Sequence, residues 1–398
     1  MKVLLANKFF FRNGGSEAVM FQERNFLLKS GCDVIDFAMQ DERNLPSAYA
    51  EHFVANQAYA AAGSSARERI GSALKLIHSP EAVRKIEQLI DQTRPDILHC
   101  HNIYHQLTPS IIGAASRRGL PVVLTLHDYK PVCPVYTRLS NGRVCSDCLD
   151  GHFFNVVKHR CADGSLGKSM LLYAEASLQR LMRNYEKVDQ FIAPSEFMRE
   201  SMIQQRVPGD RVEVLYNGID CQTVHSSKED AGYVLFLGRL SAEKGVDTLL
   251  QAHADIADRV PLVVAGTGPM EVDLRTRYPS ARFLGHVTGG ELENTLRRAS
   301  LVVVPSEWYE NCPMSVLEAM AHGKPVIASD IGGIPELVAH EQSGLLFEPG
   351  DRKTLQGQMM RLMQNADERA QFGAAARTRV EQHFSLERHN TALFGLYH

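Results

Sequence analysis

The sequence predicts an α/β protein built from parallel, doubly wound sheets in two Rossmann-like domains. Two observations predict this. Short, solidly apolar runs such as Val3–Ala6, Leu262–Ala265 and Leu301–Val304 recur, which is how strands buried on both faces read. Each run stops at a loop rich in glycine, proline or polar residues, and a helical pattern follows. The succession restarts after a polar stretch, His225–Gly232 (HSSKEDAG), which reads as an inter-domain linker.

The clearest unit is 301–323, LVVVPSEWYENCPMSVLEAMAHG. The apolar run ends at Pro305–Ser306, and a helix opens at Pro313 or Met314. Leu317, Met320 and Ala321 share one face, Gly323 closes the helix and Pro325 stands just beyond. A loop at the carboxyl end of a buried parallel strand, facing a helix start, is where doubly wound sheets bind ligands. The first amides and the helix dipole favour an anion there. Glu310 and Glu318 flank that position, eight residues apart. Carboxylates beside an anion site are costly unless they meet hydroxyl groups, so the pattern fits phosphate held by backbone and sugar hydroxyls held by acids. A nucleotide-sugar has that layout.

Composition bounds the rest. The 398 residues allow two or three domains, and 43 Lys+Arg against 46 Asp+Glu gives a net charge of −3, with no bulk basicity for nucleic acid. MKVLLANKFFF reads as a first strand rather than a secretion leader, and no stretch approaches 18 apolar residues. Eight cysteines in such a chain argue for reduced thiols or a metal site over disulfides. The expectation is a cytoplasmic enzyme.

In order, Val3–Ala6 is a strand, and Asn13–Gly14–Gly15–Ser16–Glu17 is a glycine turn opening a helix to about Lys29. Gly31 caps that helix and Val34–Ala38 is the second strand. The turn does not match G-x-G-x-x-G, which lowers a dinucleotide-dependent oxidoreductase reading. Residues 41–93 are expected to be largely helical. Within them Ala66–Gln92 is amphipathic and basic, either an ordinary packing helix or a peripheral contact to anionic lipid. Pro95–Asn102 and Pro121–Asp128 are strands running into polar loops that carry His99, His101, Asn102 and His127. An insertion, 129–165, holds Cys133, Cys145, Cys148 and Cys161 as C-x11-C-x2-C-x12-C, with His152 and His159 in reserve. That spacing fits a structural tetrahedral Zn²⁺ site; unrelated buried thiols or a disulfide are the alternatives. Residues 168–188 are a helix, Phe191–Pro194 a strand, Ser195–Gln205 a capped helix and Val212–Leu215 a strand. After the linker come strands at Tyr233–Leu237, Leu262–Ala265 and Gly344–Phe347.

The segment Glu310–Glu318 followed by AMAHGKPVIASDIGGIPELV resembles the E-x7-E region of family-4 retaining glycosyltransferases of GT-B fold. Further matches are GGSE at 14–17, Asn217–Gly218–Ile219–Asp220, and G-R-L-x-x-x-K-G at 238–245, so the likeness covers nearly the whole chain. It implies two Rossmann-like domains, 1–221 and 233–383, facing across a cleft and joined by 222–232. A helix, 384–398, would return to the first domain. It implies a nucleotide-diphosphate sugar donor (UDP or GDP) on the second domain. Arg239 and Lys244 would meet the diphosphate, the amides of Met314, Ser315 and Val316 the phosphate, Glu318 the ribose and Glu310 the sugar. Gly15, Gly238, Gly266, Gly268, Gly285 and Val287 would lie along the donor, and His127 over the transferred sugar. Gly14, Glu17, His101 and Asn102 would face a glycan or lipid-linked acceptor. The resemblance further implies retention of configuration, no cofactor or divalent metal for catalysis, and a role in surface polysaccharide assembly. A nucleotide-sugar-binding protein without turnover is the remaining alternative.

Overall fold

The computed structural model describes residues 1–56 and 76–397, and these divide into two compact units. Of the described residues, the first comprises 1–56, 76–141, 145–215 and 396–397; the second comprises Gly142–Val144 and Tyr216–Gly395.

The first unit holds a six-stranded parallel sheet. Its strands are β1 (Lys2–Ala6), β2 (Asp33–Phe37), β3 (Ile97–Cys100), β4 (Val122–Thr125), β7 (Gln190–Ala193) and β8 (Val212–Val214), in the order β2-β1-β3-β4-β7-β8. The insertion contributes two short strands of its own, β5 (Leu139–Ser140) and β6 (Arg143–Val144). The second unit holds β9 (Val234–Leu237), β10 (Leu262–Ala265), β11 (Arg282–Gly285), β12 (Leu301–Val304), β13 (Val326–Ser329) and β14 (Gly344–Phe347). These form a parallel sheet in the order β11-β10-β9-β12-β13-β14. Strand order reverses between β1 and β3 in one sheet and between β9 and β12 in the other. Each reversal opens a crevice at the carboxyl ends of its strands.

The solid apolar runs follow from burial on both faces. Leu301 and Val303 of β12 pack into one core with Val234 and Phe236, while Val302 and Val304 pack into a second core with Leu235 and Ala328. Successive side chains point to opposite faces, so a strand covered on both sides has no polar position left. The helix Met314–Ala321 lays Val316, Leu317, Met320 and Ala321 against the second core, all fully buried, and ends at Gly323 with φ +69°. Burying each such side chain contributes about 1.5–3 kcal/mol.

Residues 41–93 depart from expectation. The only helical turn described between 41 and 56 is 3-10, Ala50–His52. Polar side chains compete with a helix there: Asn44 Nδ2 donates to Met39 O (2.8 Å), Arg43 N–H to Asp41 Oδ1 (3.0 Å) and Ser47 Oγ to Asp36 Oδ2 (2.7 Å). Pro46 blocks the next turn. Ala66–Gln92 lies in part outside the described residues. Its described end belongs to the helix Pro80–Thr93, capped by Ser79 Oγ, which accepts from Ala82 N–H. The helix expected over 168–188 runs Leu166–Leu181 and breaks where Arg183 takes φ +54°.

Candidate functional site

Two clusters form, one at each strand-order reversal. In the second unit, the loop after β9 carries Gly238–Gly245 and the loop after β12 carries Pro305–Pro313. Lys244 Nζ lies 2.7 Å from Glu310 Oε1, and Ser306 Oγ donates to the same oxygen at 2.7 Å. The Lys244 ammonium also stands 4.9 Å from the centre of the Trp308 ring, a cation–π contact. Burial would raise the Glu310 carboxyl, but Lys244 and the bond from Ser306 help hold it below its ordinary range. Gly245 makes the placement of Lys244 feasible: its φ is +64°, and a Cβ there would sit 1.7 Å from Pro305 O.

Arg239 is exposed, and among the described residues no group pairs with its guanidinium. The Glu318 carboxyl also has no partner among them, and burial without a compensating cation pushes it up to about 7. The N–H groups of Met314 and Ser315 find no acceptor among the described residues. Val316 differs from expectation: its N–H is spent on Pro313 O at 3.1 Å, because the first turn tightens behind the proline. Gly266 and Gly268 abut protein backbone, with Gly238 O and Leu240 O occupying the places their Cβ atoms would take (1.9 and 2.4 Å). The space beside Gly285 is open, whereas the Val287 side chain is buried in the core and offers only backbone to a ligand.

In the first unit, Gly14 and Gly15 start the helix Gly15–Lys29. Glu17 is buried against Ser16 Oγ (3.1 Å) and Asn7 Nδ2 (3.4 Å), and Asn7 Oδ1 accepts from Asn102 N–H (2.9 Å). The expected histidines belong to a buried chain. His127 Nε2 and His101 Nδ1 share a hydrogen bond of 2.8 Å, and His101 Nε2 lies 3.4 Å from Glu23 Oε2. His99 lies beside them, with Nε2 bonded to Thr125 Oγ1 (2.8 Å) and Nδ1 to the Tyr397 hydroxyl (2.6 Å). Asp128, next to His127, is raised to about 6 by burial, against the pull of Lys130 N–H, Lys8 and the Lys130 charge.

Sequence motifs alone do not single out Glu23, Tyr397, Ser306 or Trp308 as site residues. Only Glu23 leaves a trace in sequence: it occupies the buried face of its helix between Met20 and Leu27, where an acid needs a partner. Tyr397 reaches His99 across nearly 300 positions of sequence, and no local pattern announces such a contact.

The four insertion cysteines are free thiols and line one small cavity together with His159. Among the described residues, the one group of three potential ligands within 4.8 Å of one another is Glu23, His99 and His101. His99 has both ring nitrogens engaged, as above, so that group acts as a hydrogen-bonded network. No described helix is long and apolar enough to cross a membrane.

Residues 13–223 match the Glycosyltransferase Family 4 model, and residues 221–379 match Glycosyl transferases group 1. An uncharacterized glycosyltransferase of Methanocaldococcus jannaschii is 31% identical over 52% of this chain and 61% of its own length. A GDP-mannose-dependent alpha-mannosyltransferase of Mycolicibacterium smegmatis is 34% identical over 49% of this chain and 53% of its own. The chain thus spans between half and two thirds of the length of these curated relatives. Among solved structures, Anabaena HepE in complex with UDP-glucose superposes with a TM-score of 0.66 at 18% identity, covering 100% of this chain and 99% of that one. The fold is GT-B.

Proposed function

Because the chain belongs to glycosyltransferase family 4, we propose that it transfers a sugar from a nucleotide-diphosphate donor to a glycan or lipid-linked acceptor, with retention of configuration. The observation that carries this reading is the cluster after β9 and β12. An unpaired guanidinium (Arg239), an ammonium (Lys244), two unspent helix N–H groups (Met314, Ser315) and an unpartnered carboxyl (Glu318) stand at one strand-order reversal. Cations and amides suit a diphosphate, and a carboxylate suits sugar hydroxyls.

In this mechanism Arg239 and Lys244 stabilise charge that grows on the leaving diphosphate as the glycosidic bond breaks. Such preorganised groups are worth about 10²–10³ in rate each. Diphosphate binding would draw Lys244 away from Glu310, releasing that carboxylate toward the sugar. His127, held by His101, would meet the transferred sugar, and Gly14, Glu17 and Asn102 the acceptor. The cations take the place of a divalent metal. Relatives and neighbours named for GDP-mannose and UDP-glucose support either nucleotide, and surface polysaccharide assembly rests on the family resemblance alone.

Calorimetry of the purified chain against UDP- and GDP-sugars tests the donor. Turnover of the binding sugar in the presence of a chelator, with the product anomer read by NMR, tests chemistry. Failure of every nucleotide-sugar to bind would overturn the proposal.

A further inference from the structure

We propose that the insertion binds one zinc ion through Cys133, Cys145, Cys148 and Cys161, as a structural staple separate from the transfer site. Four sulfurs from an irregular stretch of chain line a single cavity of about 10 Å³, room for one ion. His159 also lines the cavity, with Nε2 held 3.0 Å from Asp147 Oδ2, whereas His152 stands outside the lining with Nδ1 3.0 Å from Leu149 O. The four thiols that line the cavity are a donor set that selects a soft tetrahedral metal over calcium or magnesium.

A backbone group already attends one of the sulfurs. Asp147 N–H points at Cys145 Sγ (3.5 Å), two residues on within C-x2-C. Cys161 Sγ donates in turn to Ser140 Oγ at 3.8 Å. A donor aimed at sulfur gains more from a thiolate than from a neutral thiol, and hydrogen bonds of this kind orient metal ligands. With Zn²⁺, four S–H bonds break, four Zn–S bonds form and the protons leave to solvent. No three of the sulfurs are yet within 4.8 Å of one another. Zn–S bonds of about 2.3 Å require roughly 3.8 Å between sulfurs, so binding draws the loops together.

The chain has reason to need this staple. Of the twelve described non-glycine residues with positive φ, six lie in 129–165: Tyr136, Arg138, Asn141, Asp150, Arg160 and Asp163. Such conformations persist only where the surroundings over-determine them, and this segment has little regular structure to do so.

The test is elemental analysis of the full chain, purified without chelator or affinity metal. About one zinc per chain is expected, with release of zinc as an organomercurial titrates about four thiols. Cobalt reconstitution should give the thiolate charge-transfer and tetrahedral d–d bands of a tetrathiolate site. Cys145→Ser and Cys161→Ser should lose most of the zinc and melt at lower temperature, and Cys221→Ser should keep it. Should the variants fail to fold, the mercurial and cobalt measurements on the parent protein still decide. Metal-free parent protein that takes up no zinc, bound iron in place of zinc, or a Cys145–Cys148 disulfide would each overturn the proposal.

Discussion

The ammonium of Lys244 and the carboxylate of Glu310 lie 2.7 Å apart, joining the loop after β9 to the loop after β12. Each neutralises the other, so the pair is a resting arrangement that a diphosphate would have to reopen. An interaction that strengthens as charge develops lowers kcat when it is removed, as well as affinity. Lys244→Ala and Arg239→Ala should each cost about 10²–10³ in kcat/KM. Because both act on one group, the double variant should lose less than the product of the single losses. Initial rates at saturating and limiting donor check this; parental kcat in the single variants would limit these residues to holding substrate.

Glu318 makes a prediction about the unliganded protein. Its carboxyl is raised in the folded state to about 7, above the ordinary value of 4.5. A raised pKa means the folded chain holds the proton more tightly than the unfolded one. The contribution to stability is present in full below pH 4.5 and is lost as pH rises through 7. Glu318→Gln removes that loss, and because the residue is partly exposed we expect only about 1–2 kcal/mol of gain. Thermal melts should show the variant more stable than the parent at pH 8 and the advantage gone at pH 4.5. The same substitution should weaken donor binding, which isothermal calorimetry would register.

Tyr397→Phe deletes the hydroxyl bonded to His99 Nδ1 while keeping the ring. Losing this bond should cost about 1–3 kcal/mol. Denaturant melts measure that cost. Unchanged stability would show that Tyr397 only packs against the His99 ring.

Gly245→Ala should be among the most damaging single-methyl additions. The φ of +64° disfavours a side chain, and the new carbon would meet Pro305 O at 1.7 Å. We expect a loss of roughly 3 kcal/mol or more, since both strain and a backbone clash act. It should also weaken donor binding, because Lys244 is the preceding residue. A melt within a degree of the parent would contradict the close approach.

What the sequence makes legible follows from how local each signal is. The strands of both sheets show as apolar runs, since burial on two faces leaves no room for polar residues. The helix after Pro313 is announced by its own proline, apolar face and closing glycine. The Lys244–Glu310 pair spans 66 positions, and the motif spacing gives the two residues without their contact. The Glu23–His101–His127 chain is harder still, because its members come from a helix and the ends of two strands. The missing helix at 41–49 is illegible in sequence, because side-chain bonds to backbone, which override helix propensity, leave no periodic trace.

Gly332 sits so close to the Glu310 backbone that a Cβ on it would lie 2.3 Å from Glu310 O, and Gly333 N–H donates to that same oxygen at 2.7 Å. The loop bearing Glu310 is therefore moulded against the turn after β13. For protein engineering this sets a boundary: lengthening or shortening either loop alone would unseat the other. Attempts to alter donor preference should exchange side chains within 306–311 at constant length, and graft both loops together when a change of length is wanted.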